Sequence, residues 1–134
     1  AELLEIELTE TAAVSEFDCV KRLFACFQEK NMQTSLDDFG AGYSLLNSVV
    51  DIPINTVKLD RSFLTRCTTN QRGLYFLQEI VNMVKGLGYQ VICEGIETKD
   101  QVDLMRSLGC DAAQGFWFSK AISTAAFEQK YMTD

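Results

Sequence analysis

The sequence predicts an α/β fold of the TIM-type (βα)8 barrel class, with only about five C-terminal βα units present in this chain. Short runs with the two-residue period of strands alternate with longer runs of helical period, and strands that alternate with helices form parallel sheets. Each of the five predicted strands also ends in charged or amide residues. This pattern favours a barrel, which builds its site at the carboxyl ends of its strands, over a doubly wound sheet with a glycine-rich phosphate loop. About three of the eight strands are expected upstream of Ala1.

The first part of the chain contains the first two βα units. A buried strand is expected within residues 2–10, and apolar residues then recur at helical spacing over residues 17–27. Asn31 is the expected left-handed end of that helix. The second strand covers residues 34–39, and a short helical segment over residues 42–49 follows it.

The third unit starts with a strand over residues 56–60. Apolar residues over 74–84 predict the helix that follows, and Gly86 or Gly88 is its expected end. The fourth strand is expected over residues 90–93.

The last part of the chain has clear helix-start signals. Thr98 and Gln101 have the spacing of a capping box, which predicts a helix that continues to Gly109. A fifth strand is expected over residues 112–118, and Ser123 is the predicted N-cap of a final helix.

The composition excludes several classes of function. The net charge of −7, without a basic stripe, excludes a nucleic-acid polymer as the partner. Histidine does not occur, which excludes Ser-His-Asp triads, Cys-His pairs and histidine-based zinc sites. The chemistry must therefore use carboxylates, lysines and amides.

Several features indicate a segment of a cytoplasmic protein. The sequence has no signal-peptide layout and no apolar run long enough to cross a bilayer, so no membrane contact by this segment is expected. Its five cysteines, which lie in apolar segments without CxxC spacing, indicate reduced and buried thiols. Because the chain opens inside a predicted strand at Ala1, it is interpreted as a cut within a larger protein, which could be membrane-tethered through the missing regions.

The segment TSLDDFGAGYS (residues 34–44) places two carboxylates, Asp37 and Asp38, side by side. Each makes ionisation of the other harder, so a strongly positive partner is expected, and a metal ion is the first candidate. An ordinary turn, in which one aspartate accepts backbone hydrogen bonds, is the alternative. The apolar neighbours Leu36 and Phe39 favour metal ligation, with Asp37 bridging two cations and Asp38 holding one.

Two further charges interrupt apolar strands. Lys58 lies between Val57 and Leu59, and it must be paired if it faces the mouth of a barrel. Both a structural ion pair with Asp60 and a role in orienting water or holding a phosphoryl oxygen are compatible with this position. Glu94 follows a buried strand and is either a metal ligand or a general base toward a metal-bound water.

The remaining polar strand ends are less specific. Glu7 is either a solvated residue at a strand edge or a further acid of the site, and Glu10 is expected to cap a helix or brace the next loop. Glu97 is expected to support the helix that starts at Thr98. Gln114 is either a substrate contact or a satisfied core amide, and the aromatic residues 116–118 are expected to pack in the barrel.

Together these residues form an acidic rim with one lysine. Oxygen ligands favour two Mg²⁺ or Mn²⁺ ions over zinc or copper. Two such ions beside a lysine suit the hydrolysis of a phosphate diester, in which a metal activates water and both ions stabilise the developing charge.

Five motifs occur in order along the chain: ELTET (residues 7–11), DDFGAGYS (37–44), VKLDRSF (57–63), CEGIET (93–98) and CDAAQGFWFSK (110–120). In this order and spacing they resemble the successive signatures of the EAL domain. That family consists of bacterial signalling phosphodiesterases that hydrolyse cyclic di-GMP to linear pGpG. The resemblance extends over the whole chain.

The resemblance implies roles for most of the polar strand ends. It implies metal ligation by Glu7, Asp37, Asp38 and Glu94. It also implies that Lys58 helps to position the attacking water and that Glu94 is a candidate for activating it.

The family pattern also implies supporting residues and partners. Asp60 belongs to the Lys-x-Asp element, and Gln114 lies on the last strand near the reacting phosphate, so both are candidates for substrate binding. Glu10 would steady the Asp-Asp-Phe-Gly loop. The implied partners are cyclic di-GMP, a second copy of the full domain in a homodimer, and an upstream sensory or GGDEF domain.

Two family features are absent from the sequence. The Glu-Ala-Leu signature and the next strand, whose asparagine joins the metal site, would lie upstream of Ala1. Residues 1–134 are therefore interpreted as the C-terminal part of an EAL phosphodiesterase domain, and the fragment alone is expected to have little activity. The alternatives are a degenerate domain that binds cyclic di-GMP without cleaving it and a protein-interaction module.

Overall fold

One parallel sheet forms the centre of the fold. In the computed structural model, which describes residues 4–41 and 50–132, five strands lie in the order β1-β2-β3-β4-β5. They are β1 (Glu5–Thr9), β2 (Gln33–Phe39), β3 (Thr56–Leu59), β4 (Gln90–Cys93) and β5 (Ala112–Ala113). Each strand pairs in parallel with the next, which confirms the predicted α/β sheet and matches part of a (βα)8 barrel.

Helices connect these strands and follow the last one. In the described ranges they are α1 (Glu10–Ser15), α2 (Phe17–Glu29), α3 (Ser62–Cys67), α4 (Gln71–Gly86), α5 (Lys99–Ser107) and α6 (Thr124–Tyr131). The short helices α1 and α3 were not predicted, because six residues contain too little of the helical period to be recognised. The helical segment expected over residues 42–49 lies outside the described residues.

The predicted helix ends are confirmed at several positions. Asn31 has a φ of 55° after α2, and Gly88 has a φ of 88° after α4. At the start of α5, the Thr98 hydroxyl accepts a hydrogen bond from the Gln101 N–H, and Gln101 Oε1 accepts one from the Thr98 N–H. The Ser123 side chain caps α6. These contacts satisfy backbone groups that helix ends leave unpaired.

The strand register brings the carboxyl ends of the strands to one edge of the sheet. Thr9 of β1 lies opposite Asp37 of β2, and Lys58 of β3 lies opposite Ile92 of β4. The register between β2 and β3 shifts after Leu36, at the two aspartates. Such a bulge bends a strand and redirects its side chains. The irregularity therefore falls at the predicted metal-ligating pair.

The apolar core fixes the strands that carry the site. Leu36, Val57, Leu59, Val91 and Cys93 are fully or almost fully buried along the three central strands. They belong to one cluster with buried residues of the helices, which include Phe24, Leu77, Val81, Val84 and Met105. Because successive side chains of a strand point to opposite faces, packing of these residues turns their neighbours Asp37, Lys58, Ile92 and Glu94 to the other face.

Three predictions about the ends of the chain and its thiols are wrong. The fifth strand is shorter than expected, because the chain turns after Gln114 and the Trp117 N–H donates to the Ile96 carbonyl at 2.9 Å. The aromatic residues 116–118 are 49–62% exposed rather than packed. Cys19 and Cys26 are exposed, although all five cysteines are free thiols as predicted.

The edge strand β1 is also more exposed than expected, since its residues alternate between exposed and intermediate burial. None of the helices in the described part of the chain combines the length and apolar character that crossing a bilayer requires.

The capping box of α5 provides a test of the local structure. Replacing Thr98 by alanine removes the hydroxyl that accepts the Gln101 N–H, so the free energy of unfolding should fall by about 1 kcal/mol in urea denaturation. Thr98→Ser retains the hydroxyl and should retain most of the stability. Equal losses in the two variants would show that the cap contributes little.

Candidate active site

A buried lysine surrounded by carboxylates forms the centre of the site. Lys58 is only 5% exposed. Its Nζ lies 2.7 Å from Glu94 Oε1, 2.9 Å from Glu7 Oε1 and 3.5 Å from Asp37 Oδ1. The three acids come from β1, β2 and the end of β4, so the structure brings together residues that are far apart in the sequence.

The sheet explains why these four side chains meet. Pairing places the end of β1 beside Asp37, and the Glu94 N–H donates to the Leu59 carbonyl at 3.0 Å, which holds Glu94 next to the end of β3. Lys58 therefore projects between neighbours whose backbones are hydrogen-bonded to one another. Side chains supported in this way are placed more accurately than side chains on loops.

The electrostatics favour a charged lysine. Burial disfavours the ammonium form, but hydrogen bonds to Glu94 and Glu7 and the charges of Glu94 and Asp37 outweigh this effect and hold the pKa of Lys58 above its usual value. Lys58 is consequently a permanent positive charge at neutral pH. In the described residues its ion pairs are with Glu7, Asp37 and Glu94, and the alternative pair with Asp60 is not formed.

Asp38 is held in an unusual backbone conformation beside this group. Its φ is 57°, in the left-handed region that few non-glycine residues adopt, and its N–H donates to Asp37 Oδ1 at 3.0 Å. Burial, followed by the negative charges of Asp37 and Asp60, raises the pKa of Asp38. The two adjacent carboxylates are thus crowded by further acids, as an anionic site for a cation requires.

Glu10 contacts the turn that follows the aspartates. It is 4% exposed, and its Oε2 accepts a hydrogen bond from the Gly40 N–H at 2.9 Å. Gly40 has a φ of 91°, a conformation that is strained for other residues. The side chain predicted to brace this loop therefore touches its backbone directly.

Asp60 and Gln114 lie beside the centre, and within the described residues neither forms a hydrogen bond or ion pair with Lys58. Asp60 Oδ1 accepts a hydrogen bond from the Ser62 N–H at 2.9 Å, which stabilises the start of α3. Gln114 is exposed, so the core-amide alternative is wrong. Its N–H donates to the Cys93 carbonyl at 2.8 Å, which places its backbone beside the strand end that carries Glu94.

Sequence reasoning missed two residues near the site, Arg61 and Phe63. Arg61 forms an ion pair with Glu97 at 2.9 Å, and its side chain covers Gly95, where an added Cβ would lie 2.6 Å from Arg61 Cγ. The Glu97 side chain therefore pairs with Arg61, and its contact with α5 in the described residues is the hydrogen bond from its backbone N–H to Gln101 Oε1. Neither Arg61 nor Phe63 stands out in the sequence, because each acts through a distant partner.

The donor chemistry of the site fits a hard divalent cation. The converging groups are carboxylate oxygens, which Mg²⁺ and Mn²⁺ prefer, and Asp38 lies in a crowded anionic environment. In the described ranges, no set of three or more acidic or cysteine side chains is already arranged around a metal position. Lys58 instead occupies the space between three of the carboxylates.

Comparisons with known proteins identify one protein family. The family model of the EAL domain matches residues 1–121. The protein named cyclic di-GMP phosphodiesterase NbdA, from Pseudomonas aeruginosa, is 36% identical over 94% of this chain and 16% of its own length. The crystal structure of an EAL domain protein from Listeria monocytogenes is 34% identical with a TM-score of 0.87, over 98% of this chain and 52% of that chain.

A third similar protein was solved with ligands. The structure described as a manganese and cyclic di-GMP complex of Klebsiella pneumoniae BlrP1 is 28% identical with a TM-score of 0.80, over 89% of this chain and 30% of that chain. The chain thus spans about half or less of each protein compared.

The raised pKa of Asp38 predicts how stability depends on pH. The folded chain holds this proton more tightly than the unfolded chain, so stability falls as the pH rises above the ordinary aspartate pKa of about 3.9. Asp38→Asn removes the charge and tolerates a left-handed φ. Without added metal, this variant should be more stable than the parent at pH 7, and the difference should disappear below about pH 4 in urea denaturation.

Asp103→Asn is the matched control, because the pKa of Asp103 is shifted in the opposite direction to that of Asp38. A hydrogen bond from Lys99 lowers the pKa of Asp103, so its ionised form stabilises the fold at neutral pH and this stabilisation is lost as the pH falls through the lowered pKa. The control variant should be slightly less stable than the parent at pH 7. A loss of stability in Asp38→Asn at pH 7 would contradict the crowded-carboxylate account.

Proposed function

The chain belongs to the EAL domain family, and on this premise we propose that it forms the C-terminal part of a domain that hydrolyses cyclic di-GMP to linear pGpG. The observation that carries the proposal is the convergence of Glu7, Asp37 and Glu94 on the buried ammonium of Lys58. A cluster of this composition suits a phosphodiester, because the negative phosphate needs positive charge and the attacking water needs a base. The names of similar proteins support the same substrate.

The proposed metal site contains the acidic residues at the strand ends. Glu7, Asp37, Asp38 and Glu94 would hold two Mg²⁺ or Mn²⁺ ions together with ligands from outside this chain. When bound, such ions lower the pKa of water and stabilise negative charge on phosphoryl oxygens. The all-oxygen donor set supports this choice of ions, and the manganese complex of BlrP1 supports it by similarity.

Lys58 and Glu94 have complementary proposed roles. The Lys58 ammonium, which its neighbours keep charged, would hold the attacking water or a phosphoryl oxygen in place. Glu94 would accept a proton from that water, because it lies 2.7 Å from Lys58 and is only partly exposed. Gln114 and Asp60, beside these groups, are proposed to bind substrate, and Glu10 is proposed to hold the turn at Gly40.

The wider context of the domain is also a proposal. We expect a cytoplasmic domain that works as a homodimer and that receives its signal from an upstream sensory or GGDEF domain. Because the chain spans 52% of the Listeria EAL protein, residues that complete the site are expected in the other half of such a domain. The chain alone should therefore turn over little substrate.

This proposal is tested by joining the chain to the upstream half of the Listeria EAL protein. The chain alone should form almost no pGpG from cyclic di-GMP with Mn²⁺, whereas the joined protein should form it readily. In the joined protein, Glu94→Gln should lower kcat by about 10²- to 10⁴-fold, because it removes the proposed base. Product would be followed by chromatography.

Glu128→Gln is the control for this experiment, since Glu128 is an exposed glutamate of α6. It should leave turnover unchanged. Tight binding of cyclic di-GMP without turnover by the joined protein would support a degenerate receptor instead. Neither binding nor turnover, in a joined protein that melts cooperatively, would favour an interaction module and contradict the proposal.

A further inference from the structure

The ring of Phe63 lies directly against the backbone of Gly40. A Cβ added at Gly40 would lie 2.1 Å from Phe63 Cε2 and 2.3 Å from Phe63 Cζ. These distances are far shorter than van der Waals contact, so the ring occupies the space that any side chain at position 40 would need. Phe63 is 7% exposed and thus forms a close contact between α3 and the turn after β2.

Phe63 also packs against a residue of α4, Phe76. Its ring stacks on Phe76, with ring centroids 6.5 Å apart and an angle of 19° between the planes. Phe63 also follows shortly after β3, the strand that carries Lys58. One segment of chain therefore places both the lysine of the site and the ring against the turn.

The turn that Phe63 contacts needs support from outside. The Ala41 N–H donates to the Asp38 carbonyl at 3.0 Å, and both Asp38 and Gly40 have left-handed φ values of 57° and 91°. A non-glycine residue in this region persists only when its surroundings enforce the conformation. Two contacts at Gly40 hold the turn that contains Asp38. Glu10 Oε2 accepts a hydrogen bond from the Gly40 N–H, and the Phe63 ring fills the space beside the Gly40 Cα.

We propose that Phe63 is a positioning residue for the carboxylates of Asp37 and Asp38. By confining Gly40, the ring keeps the turn in its left-handed conformation and so fixes the direction in which the two preceding side chains leave the bulge of β2. The consequence for metal binding rests on the proposed function, whereas the consequence for the turn does not. Glycine is required at position 40 for two reasons, its positive φ and the presence of the ring.

Ordinary core packing is the competing explanation for Phe63. A core phenylalanine stabilises the whole fold, and its replacement lowers the stability of every element together. A positioning residue has a local effect in addition. Phe24 provides the comparison, since it is a buried phenylalanine of α2 whose ring contacts Phe27, and it belongs to the same core.

The test compares Phe63→Leu with Phe24→Leu by NMR on the whole chain without metal. In Phe63→Leu, the Gly40 amide should exchange with solvent about ten-fold faster relative to core amides. The intraresidue HN–Hα NOE of Asp38, which is strong at a positive φ because the two protons are close together, should weaken. Phe24→Leu should lower global stability without either local change. Phe63→Met replaces Phe63→Leu if the leucine variant does not fold.

A double-variant cycle tests the contact itself. Gly40→Ala should destabilise the chain strongly, and the same substitution in Phe63→Leu should cost less, because the smaller side chain leaves room for the new methyl group. Additive losses of stability would show that the ring does not confine position 40. Identical Gly40 exchange in Phe63→Leu and Phe24→Leu would likewise overturn the proposal.

Titration with Mn²⁺ separates this inference from the proposed function. If the parent chain binds Mn²⁺, Phe63→Leu should weaken binding by about ten-fold and Phe24→Leu should not. Unchanged affinity together with a loosened turn would show that the ring does not position the carboxylates, which overturns the inference. If the parent chain binds no Mn²⁺, the titration is made with the chain joined to the upstream half of the Listeria EAL protein, because further ligands are proposed to come from that half. Absence of Mn²⁺ binding by the joined protein would contradict the metal step of the proposed function, and the intraresidue HN–Hα NOE of Asp38 would then decide for or against positioning.

Discussion

The pairing of a buried ammonium with three carboxylates is the constraint on which the site depends. Lys58 enters from β3, and Glu7, Asp37 and Glu94 enter from the strands around it. A buried lysine is costly without anionic partners, and the acids would repel one another without the lysine. The charges therefore support each other only when the strands lie in the observed parallel order.

The backbone geometry of β2 also determines where the two aspartates of the site lie. The register shift after Leu36 places Asp37 and Asp38 at a bulge, and Asp38 takes a left-handed conformation there. The turn after the bulge is contacted by Glu10 from α1 and by Phe63 from α3. In our proposal, the side chains that would bind cations are directed by Glu10 and Phe63, which are not themselves proposed ligands, as accurate sites generally require.

The sequence predicts those parts of the structure that depend on local patterns. The strand over residues 90–93, the capping box at Thr98 and the left-handed Asn31 follow from period, spacing and residue type. The acidic strand ends can be recognised in the sequence, because a charge directly after a buried apolar run is costly unless it is paired or binds a metal.

The parts that could not be predicted depend on contacts between distant segments. The last strand ends early because the chain turns around Ile96, although the aromatic residues beyond it have strand-like character. The contact between Gly40 and Phe63 has no signature in either segment alone. The proposed metal site is tested most directly by anomalous diffraction at the manganese edge. The crystals would contain the chain joined to an upstream half-domain and would be grown with Mn²⁺. We expect peaks within bonding distance of the carboxylate oxygens of Asp37, Asp38 and Glu94. Well-ordered manganese found only away from these residues would contradict the proposed metal site.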